Sequence, residues 1–170
     1  LVIACHGLEG SSKSKYIISV CNYLNSQKID CVAVNFRGCS GEDNNFMYSY
    51  HSGKTDDLSV IINYVIENYS YKNIVLLGYS MGGNIVLKYL GETTNVPTPI
   101  KCGIAISVPV DLESSSKALE HTQNWFYLNR FLKTLKQKSL TKNKKFPEAK
   151  ISTKAILNAK TFEDFDNAIT

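Results

Sequence analysis

Gly78-Tyr79-Ser80-Met81-Gly82-Gly83 lies between two segments whose apolar residues follow different periods. The preceding segment, residues 73–77, is apolar and partly β-branched and has the length of a buried strand. In the following segment, residues 84–90, the apolar side chains fall on one face of a helix. A strand, a sharp turn with Gly-x-Ser-x-Gly and a helix, in that order, form the pattern of a nucleophile elbow. The pattern predicts that Ser80 is a catalytic nucleophile.

The chemistry of a serine nucleophile accounts for this spacing. A serine hydroxyl reacts well only when it is exposed, lies beside a base and faces N–H donors for the developing oxyanion. Gly78 and Gly82 have no Cβ, so strand and helix can approach closely around the turn. The backbone N–H of Met81, at the helix N-terminus, is a predicted oxyanion donor. The alternative is a glycine-rich turn that binds a phosphate or no ligand, and the motif alone leaves both open.

A second glycine-rich loop follows the first strand-like segment of the chain. Residues 1–5 have the pattern of a buried strand, and the next residues are His6-Gly7-Leu8-Glu9-Gly10-Ser11-Ser12. The backbone of such a loop can approach a ligand closely, so the N–H of Leu8 is predicted to be the second oxyanion donor. We expect His6 to hold the loop by hydrogen bonds, because a base here would lie on the wrong side of the nucleophile.

The segments around these loops alternate between helix and strand. The predicted elements are a helix at residues 16–24, a strand at 31–36, a helix from Asp57 to Tyr69 and a strand at 100–108. This alternation predicts an α/β fold with a parallel β-sheet and helices on both faces, over a core of residues 1–110. The loop at residues 42–53 is long enough to line a site.

The character of the sequence changes after Asp111. Apolar residues from Trp125 to Leu135 recur at helical spacing, and residues 130–150 contain eight Lys/Arg and one acidic residue. One interpretation is a basic helical cap that contacts phospholipid head groups. We favour the simpler one, a solvated helix face followed by a flexible Lys/Asn-rich loop. Thr161-Phe162-Glu163-Asp164 is typical of a capping box. We expect residues 111–170 to be a helical cap segment of the same domain.

Composition bounds the class of protein. The 170 residues are 44% hydrophobic and 20% charged with a net charge of +4, which is typical of a globular domain. No apolar run reaches the roughly 20 residues of a membrane span. The lysines come with no nucleic-acid recognition motif, so nucleic acid is not an expected partner. The chain begins with Leu1 and no signal segment, so we expect a fragment whose N-terminus is truncated.

Cysteine and acidic residues give no sign of a metal or cofactor. The cysteine count of five is odd and the spacing is not of metal type, which favours reduced thiols and a cytoplasmic protein. Association with a membrane surface through the basic cap segment is the accompanying possibility. The pair Asp56-Asp57 suits the first turn of a helix better than a metal site. We therefore expect no metal and no cofactor.

Taken together, these motifs resemble the YheT-like branch of the α/β-hydrolase superfamily. The resemblance extends over essentially the whole chain, in the order of the family. Besides the elbow and the loop from His6 to Ser12, the matching stretches are Asn35-Phe36-Arg37-Gly38-Cys39-Ser40-Gly41, Tyr50-His51-Ser52-Gly53-Lys54-Thr55-Asp56-Asp57-Leu58, Lys88-Tyr89-Leu90-Gly91-Glu92, Ser107-Val108-Pro109-Val110-Asp111-Leu112 and Thr161-Phe162-Glu163-Asp164-Phe165-Asp166.

The resemblance implies an α/β-hydrolase fold and serine-esterase, lipase or phospholipase chemistry on acyl esters, either lipids or esters of short to medium chain length. Ser80 matches the nucleophile, and Leu8 and Met81 match the oxyanion donors. Alcohol acyltransferases are among the relatives, so acyl transfer is an alternative. The catalytic acid and histidine of the family are expected beyond Thr170, and further strands are expected before Leu1. A catalytically incomplete fragment or pseudoenzyme is the other alternative.

No acid or base is assigned within the chain. His121 is the only histidine after the elbow and lies in the predicted cap, and Asp111, Asp164 and Asp166 match positions that look structural. We expect His51 to order its own loop.

A central fragment would also expose the edges of its sheet. The strands at residues 31–36 and 100–108 would each lack a neighbour, and unpaired apolar edges promote association. The sequence therefore predicts a chain that is poorly soluble or associates by itself.

Overall fold

A computed structural model describes residues 1–149 and 151–169. The chain forms two compact units, Leu1–Val110 and Asp111–Thr170, and each is described by itself. The first unit is an α/β structure and the second is helical.

The first unit is built on a parallel four-stranded sheet. Its strands are β1 (Val2–Cys5), β2 (Cys31–Ala33), β3 (Ile74–Tyr79) and β4 (Ile100–Ile106). Their order is β2-β1-β3-β4, and Val2 lies opposite Cys31 on one side and Val75 on the other. The predicted parallel α/β sheet is confirmed.

Three helices cover both faces of this sheet. They are α1 (Lys15–Ser26), α2 (Asp56–Asn68) and α3 (Met81–Glu92). Because successive strand residues point to opposite faces, β1 serves two cores. Val2 and Ala4 pack with Ile17 of α1, whereas Ile3 and Cys5 belong to the core beneath α2 and α3. Each large apolar side chain that is fully buried here contributes about 1.5–3 kcal/mol.

The strand order positions the functional site. The chain passes from β1 to β2 on one side of β1, and β3 then pairs with the other side. Connections that leave neighbouring parallel strands in opposite directions open a crevice at the carboxyl ends of those strands. Here the crevice lies at the ends of β1 and β3, where the two glycine-rich loops begin.

Two strands are shorter than predicted. Strand β2 ends at Ala33 rather than at residue 36, although the N–H of Val34 still donates to the carbonyl oxygen of Ala4 at 2.9 Å. Beyond this point the backbone turns so that the N–H of Phe36 donates to His6. Strand β4 ends at Ile106 rather than at residue 108, because Ser107 has a φ of 53°.

The second unit consists of four helices and two short 3₁₀ turns within the described residues. The helices are α4 (Leu112–Glu120), α5 (Trp125–Lys145), α6 (Thr153–Asn158) and α7 (Phe162–Ile169), and the turns are Thr122–Asn124 and Pro147–Ala149. Leu128 and Leu132 of α5 pack with Ile156 and Phe165 in a separate core. The predicted capping box is confirmed, since Asp164 donates its N–H to Thr161 Oγ1 at 2.9 Å and accepts the Thr161 N–H at 3.0 Å.

The predicted Lys/Asn-rich loop is wrong for most of its length. Helix α5 continues to Lys145. Lysine has a favourable helix propensity, and Lys142, Lys144 and Lys145 lie in the last turn, where cations interact favourably with the helix dipole.

The described part of the chain has no helix that combines the length and the apolar character needed to cross a membrane.

Candidate active site

Ser80 occupies a strained turn between β3 and α3. Its φ of 50° and ψ of −123° place it in a region that residues with a side chain rarely adopt. Its N–H donates to the carbonyl oxygen of Ile106 at 2.9 Å, and its own carbonyl accepts from Gly83 at 2.9 Å and Asn84 at 3.1 Å. These bonds hold the turn in place and leave the Ser80 side chain exposed.

The glycines around Ser80 permit close backbone contacts. A Cβ on Gly82 would overlap the carbonyl oxygens of His6 and Cys5, and one on Gly78 would overlap the backbone of Gly83. Glycine at position 78 therefore lets β3 and α3 pack closely within the elbow, and glycine at position 82 lets α3 approach the end of β1.

The first glycine-rich loop lies directly beside Ser80. An ideal Cβ built on Gly7 would be 3.1 Å from Ser80 Cβ and 3.7 Å from Ser80 Oγ. Among the described residues, the Ser80 hydroxyl makes no hydrogen bond. Its oxygen is thus exposed next to the backbone that sequence analysis predicted to bind an oxyanion.

Two tyrosine hydroxyls fix this loop on either side of Leu8. The N–H of Gly7 donates to the Tyr16 hydroxyl at 2.9 Å, and the N–H of Glu9 donates to the Tyr50 hydroxyl at 2.8 Å. The Tyr50 hydroxyl in turn donates to Glu9 Oε1 at 2.8 Å. Burial raises the pKa of Tyr50 far above its ordinary value, so its hydroxyl remains protonated.

Two backbone N–H groups predicted to bind the oxyanion have no acceptor within the described residues. One belongs to Leu8, between the two bonded N–H groups of its loop, and the other to Met81, the first residue of α3. The first N–H groups of a helix have no partner within it, and the helix dipole makes this end favourable for negative charge. Both N–H groups are free to bind an anionic oxygen.

His6 lies under the loop with both ring nitrogens engaged. Because Nε2 accepts the Phe36 N–H at 3.3 Å, Nδ1 carries the proton and donates to the Gly7 carbonyl oxygen at 2.7 Å. The ring is fully buried and meets the Phe36 ring edge-on, at 4.9 Å between centroids. The expectation that His6 holds the loop is confirmed.

The sequence also matches a known protein family whose fold agrees with this geometry. Residues 1–152 match the family described as the alpha/beta hydrolase fold. The chain belongs to this family.

Curated relatives of this α/β hydrolase include phospholipase ABHD3 from Homo sapiens, which is 30% identical over 169 residues. The putative esterase YheT from Escherichia coli is 29% identical over 170 residues, so the resemblance to YheT is confirmed. Each match covers 99% of this chain but only 41% and 50% of the respective relative. The chain thus spans half or less of the length of these proteins.

Among solved structures, the esterase Pf2001 from Pyrococcus furiosus is similar to this α/β hydrolase. The TM-score is 0.58 at 25% sequence identity, over 68% of this chain and 45% of the esterase. The predicted α/β-hydrolase fold is confirmed.

Two further polar residues singled out in the sequence, His51 and Asp111, have local structural roles in this α/β hydrolase. His51 Nδ1 accepts the Gly53 N–H at 3.2 Å, so it orders its own loop as expected. Asp111 caps α4 by accepting the N–H and hydroxyl of Ser114 at 3.0 and 2.6 Å, and these bonds lower the pKa of its carboxyl.

The tyrosine contacts and one ion pair have no signal in the sequence pattern. Asp57 lies in the first turn of α2 as expected, but its carboxylate also accepts two bonds from Arg37 Nε, at 2.9 and 2.7 Å, and one from Arg37 Nη2, at 2.5 Å. This pair borders an open pocket of about 350 Å³ whose wall includes Asn44 and Phe46 of the long loop. No local sequence signal connects these residues, because the loop brings them together only in the folded chain.

Proposed function

We propose that the protein containing this chain hydrolyses acyl esters, with Ser80 as nucleophile and the N–H groups of Leu8 and Met81 as oxyanion donors. The observation that supports this most directly is the exposed Ser80 hydroxyl on a strained turn beside two backbone N–H groups without acceptors. Strain of this kind persists where the surrounding structure holds it, and it is frequent at active sites.

The reaction follows from these positions. The Ser80 oxygen attacks the ester carbonyl while a general base takes its proton, and the carbonyl oxygen becomes an oxyanion that the N–H groups of Leu8 and Met81 stabilise. Collapse of this intermediate releases the alcohol, and water then hydrolyses the acyl-enzyme. In this fold the acid and the histidine follow the nucleophile in the chain. We place the general base in the longer protein, because His6 and His51 have structural partners.

A fluorophosphonate probe tests the role of Ser80, because it phosphonylates activated serines. We expect labelling of the longest natural protein that contains this chain, and none of its Ser80→Ala variant. Ser107→Ala is the matched control, since Ser107 also has a positive φ and follows a strand end. Equal labelling of wild type and Ser80→Ala would exclude Ser80 as the nucleophile. If the folded wild-type protein were not labelled either, the result would favour a catalytically inactive protein.

The substrate class is proposed from the relatives. One is named a phospholipase and another an esterase, so acyl esters of lipids are the first substrates to assay. Acyl transfer to an alcohol would use the same residues. Product analysis in water with added alcohol separates ester hydrolysis from ester exchange.

Helix α5 has features that favour contact with an anionic membrane surface. It contains seven Lys/Arg and no Asp or Glu, and its first turn exposes Trp125, Phe126 and Tyr127 by 54–64%. Aromatic and basic side chains of this kind bind the interface of anionic bilayers. We propose a cytoplasmic protein that meets such a surface through α5.

Vesicle sedimentation tests this contact. We expect binding to phosphatidylcholine vesicles only when phosphatidylserine is included, and a loss of about tenfold or more in Lys133→Glu/Lys144→Glu. Lys72→Glu, an exposed lysine outside α5, should bind like wild type. Equal binding of all three proteins would exclude α5 as the contact.

A further inference from the structure

The thiols of Cys21 and Cys31 are in direct contact. Their sulfur atoms are 2.8 Å apart, whereas the sulfurs of a disulfide are about 2.05 Å apart. Cys21 lies in the middle of α1, and Cys31 is the first residue of β2. Both are half-buried and reduced in this structure.

The backbone holds both cysteines in place. At the end of α1, the N–H of Gln27 donates to the Leu24 carbonyl at 2.9 Å and that of Ile29 to the same carbonyl at 3.0 Å. At the start of β2, the N–H of Val2 donates to the Asp30 carbonyl at 2.9 Å. The segment that joins α1 to β2 is hydrogen-bonded at both ends. The folded backbone therefore holds the two sulfur atoms in contact. A bond between them needs little movement of the backbone.

We propose that Cys21 and Cys31 are a redox-modification site that forms a reversible disulfide when the protein meets a small-molecule disulfide such as oxidised glutathione. The Cys21 thiolate attacks one sulfur of the reagent, giving a mixed disulfide and releasing one thiolate. The Cys31 thiolate then attacks Cys21 Sγ and releases the second. The two protein thiols lose two electrons and two protons, and the reagent is reduced to two thiols.

The other cysteines differ in their surroundings. Cys5 and Cys39 are buried, and Cys102 is exposed on β4. Burial raises the pKa of Cys31 to about 12, with the Cys21 thiol as a further cause. Because the thiolate is the attacking species, we expect the ring-closing step to become faster as the pH rises from neutral.

Trypsin distinguishes this disulfide from the others. Cleavage after Lys15, Lys28 and Arg37 places Cys21 alone in the peptide of residues 16–28 and Cys31 alone in that of residues 29–37. The longest natural protein that contains this chain is reduced, incubated with oxidised glutathione, blocked with N-ethylmaleimide, digested with trypsin and measured by mass spectrometry. We expect the signals of the two separate peptides to decrease together and a single disulfide-linked species to appear. Treatment with a reductant should restore the two separate peptides.

The controls separate folded proximity from chance pairing. Cys31 and Cys39 are eight positions apart, so in guanidinium they should pair about as readily as Cys21 and Cys31, which are ten apart. In the native protein, only the Cys21–Cys31 species should form, and Cys102→Ser should leave it unchanged. Cys21→Ser should abolish it. Separate glutathione adducts on the two peptides, or equal amounts of the Cys31–Cys39 species in native protein, would overturn the proposal.

Discussion

The hydroxyl oxygen of Tyr16 lies 2.9 Å from the backbone nitrogen of Gly7 and accepts its hydrogen bond. Tyr16 belongs to the first turn of α1, whereas Gly7 lies beside Ser80 at the end of β1. A helix on one face of the sheet therefore fixes the loop that contains Leu8, at the residue just before it. The position of a proposed oxyanion donor depends on a side chain that would not itself touch substrate.

Replacing Tyr16 by Phe should lower kcat for ester hydrolysis about tenfold and change KM little. The variant keeps the ring contact with Tyr79 but removes the acceptor of the Gly7 N–H. Loss of a whole oxyanion donor costs about 10²–10³ in kcat, and a displaced donor should cost less. Steady-state kinetics of the longest natural protein that contains this chain measure this change. Tyr23→Phe, on an exposed position of the same helix, is the control, and an equal decrease in both variants would contradict the assignment.

Two alanine substitutions in α3 should change stability in opposite directions. Gly82→Ala places a Cβ against the carbonyl oxygens of Cys5 and His6 and should destabilise the protein by about 1–3 kcal/mol. At Gly91 a Cβ meets no atom within 4 Å, so Gly91→Ala should stabilise by about 0.5–1 kcal/mol. Urea unfolding of both variants gives these differences. Equal stability of the two would show that the elbow does not need glycine there.

Ser80→Gly should be more stable than wild type while losing fluorophosphonate labelling. Glycine adopts a positive φ without steric strain, whereas serine is strained at the Ser80 φ of 50°. Relief of such strain should raise the free energy of unfolding by about 1–3 kcal/mol. Ser80→Ala retains the Cβ and so should retain the strain. A thermal or urea comparison of the two variants isolates the backbone contribution. If both were equally stable, the turn would not be strained.

The cap of α7 should weaken in acid. Asp164 accepts the backbone N–H groups of Lys160 and Thr161 at 2.8 and 3.0 Å, and the bond from Lys160 contributes most to lowering the pKa of its carboxyl. A lowered folded-state pKa contributes stability that is complete above the unfolded value of about 3.9 and is lost as the pH falls through the folded value.

Unfolding measured from about pH 6 down to pH 2 checks this sign. Wild type should lose more stability on acidification than Asp164→Asn. Glu163→Gln removes a charge from the same turn and leaves the cap bonds in place, so its profile should follow wild type. Parallel profiles for wild type and Asp164→Asn would exclude Asp164 as the source of the acid sensitivity.

The sequence predicted those features that depend on local pattern. The strand before Ser80 and the helix after it follow from periodicity and from glycine spacing, and the structure has both. The loop-holding role of His6 follows from its place in the loop after β1, where a base would lie on the wrong side of the nucleophile. The early end of β2 and the hydroxyl acceptors on Tyr16 and Tyr50 depend on contacts between distant segments. Helical periodicity marks Tyr16 as one more apolar position of α1, and nothing in its neighbours indicates that its hydroxyl meets Gly7.

The donors proposed for the oxyanion are main-chain groups, and this affects how the site would respond to mutation. Every amino acid except proline supplies an N–H at position 8, so most substitutions of Leu8 would keep the proposed donor. Position 16 has no such freedom, because only a hydroxyl at the right distance accepts the Gly7 N–H. A saturation-mutagenesis scan would therefore find tolerance at position 8, which would bind the oxyanion through its main chain, and intolerance at position 16, which supports that loop from a distance.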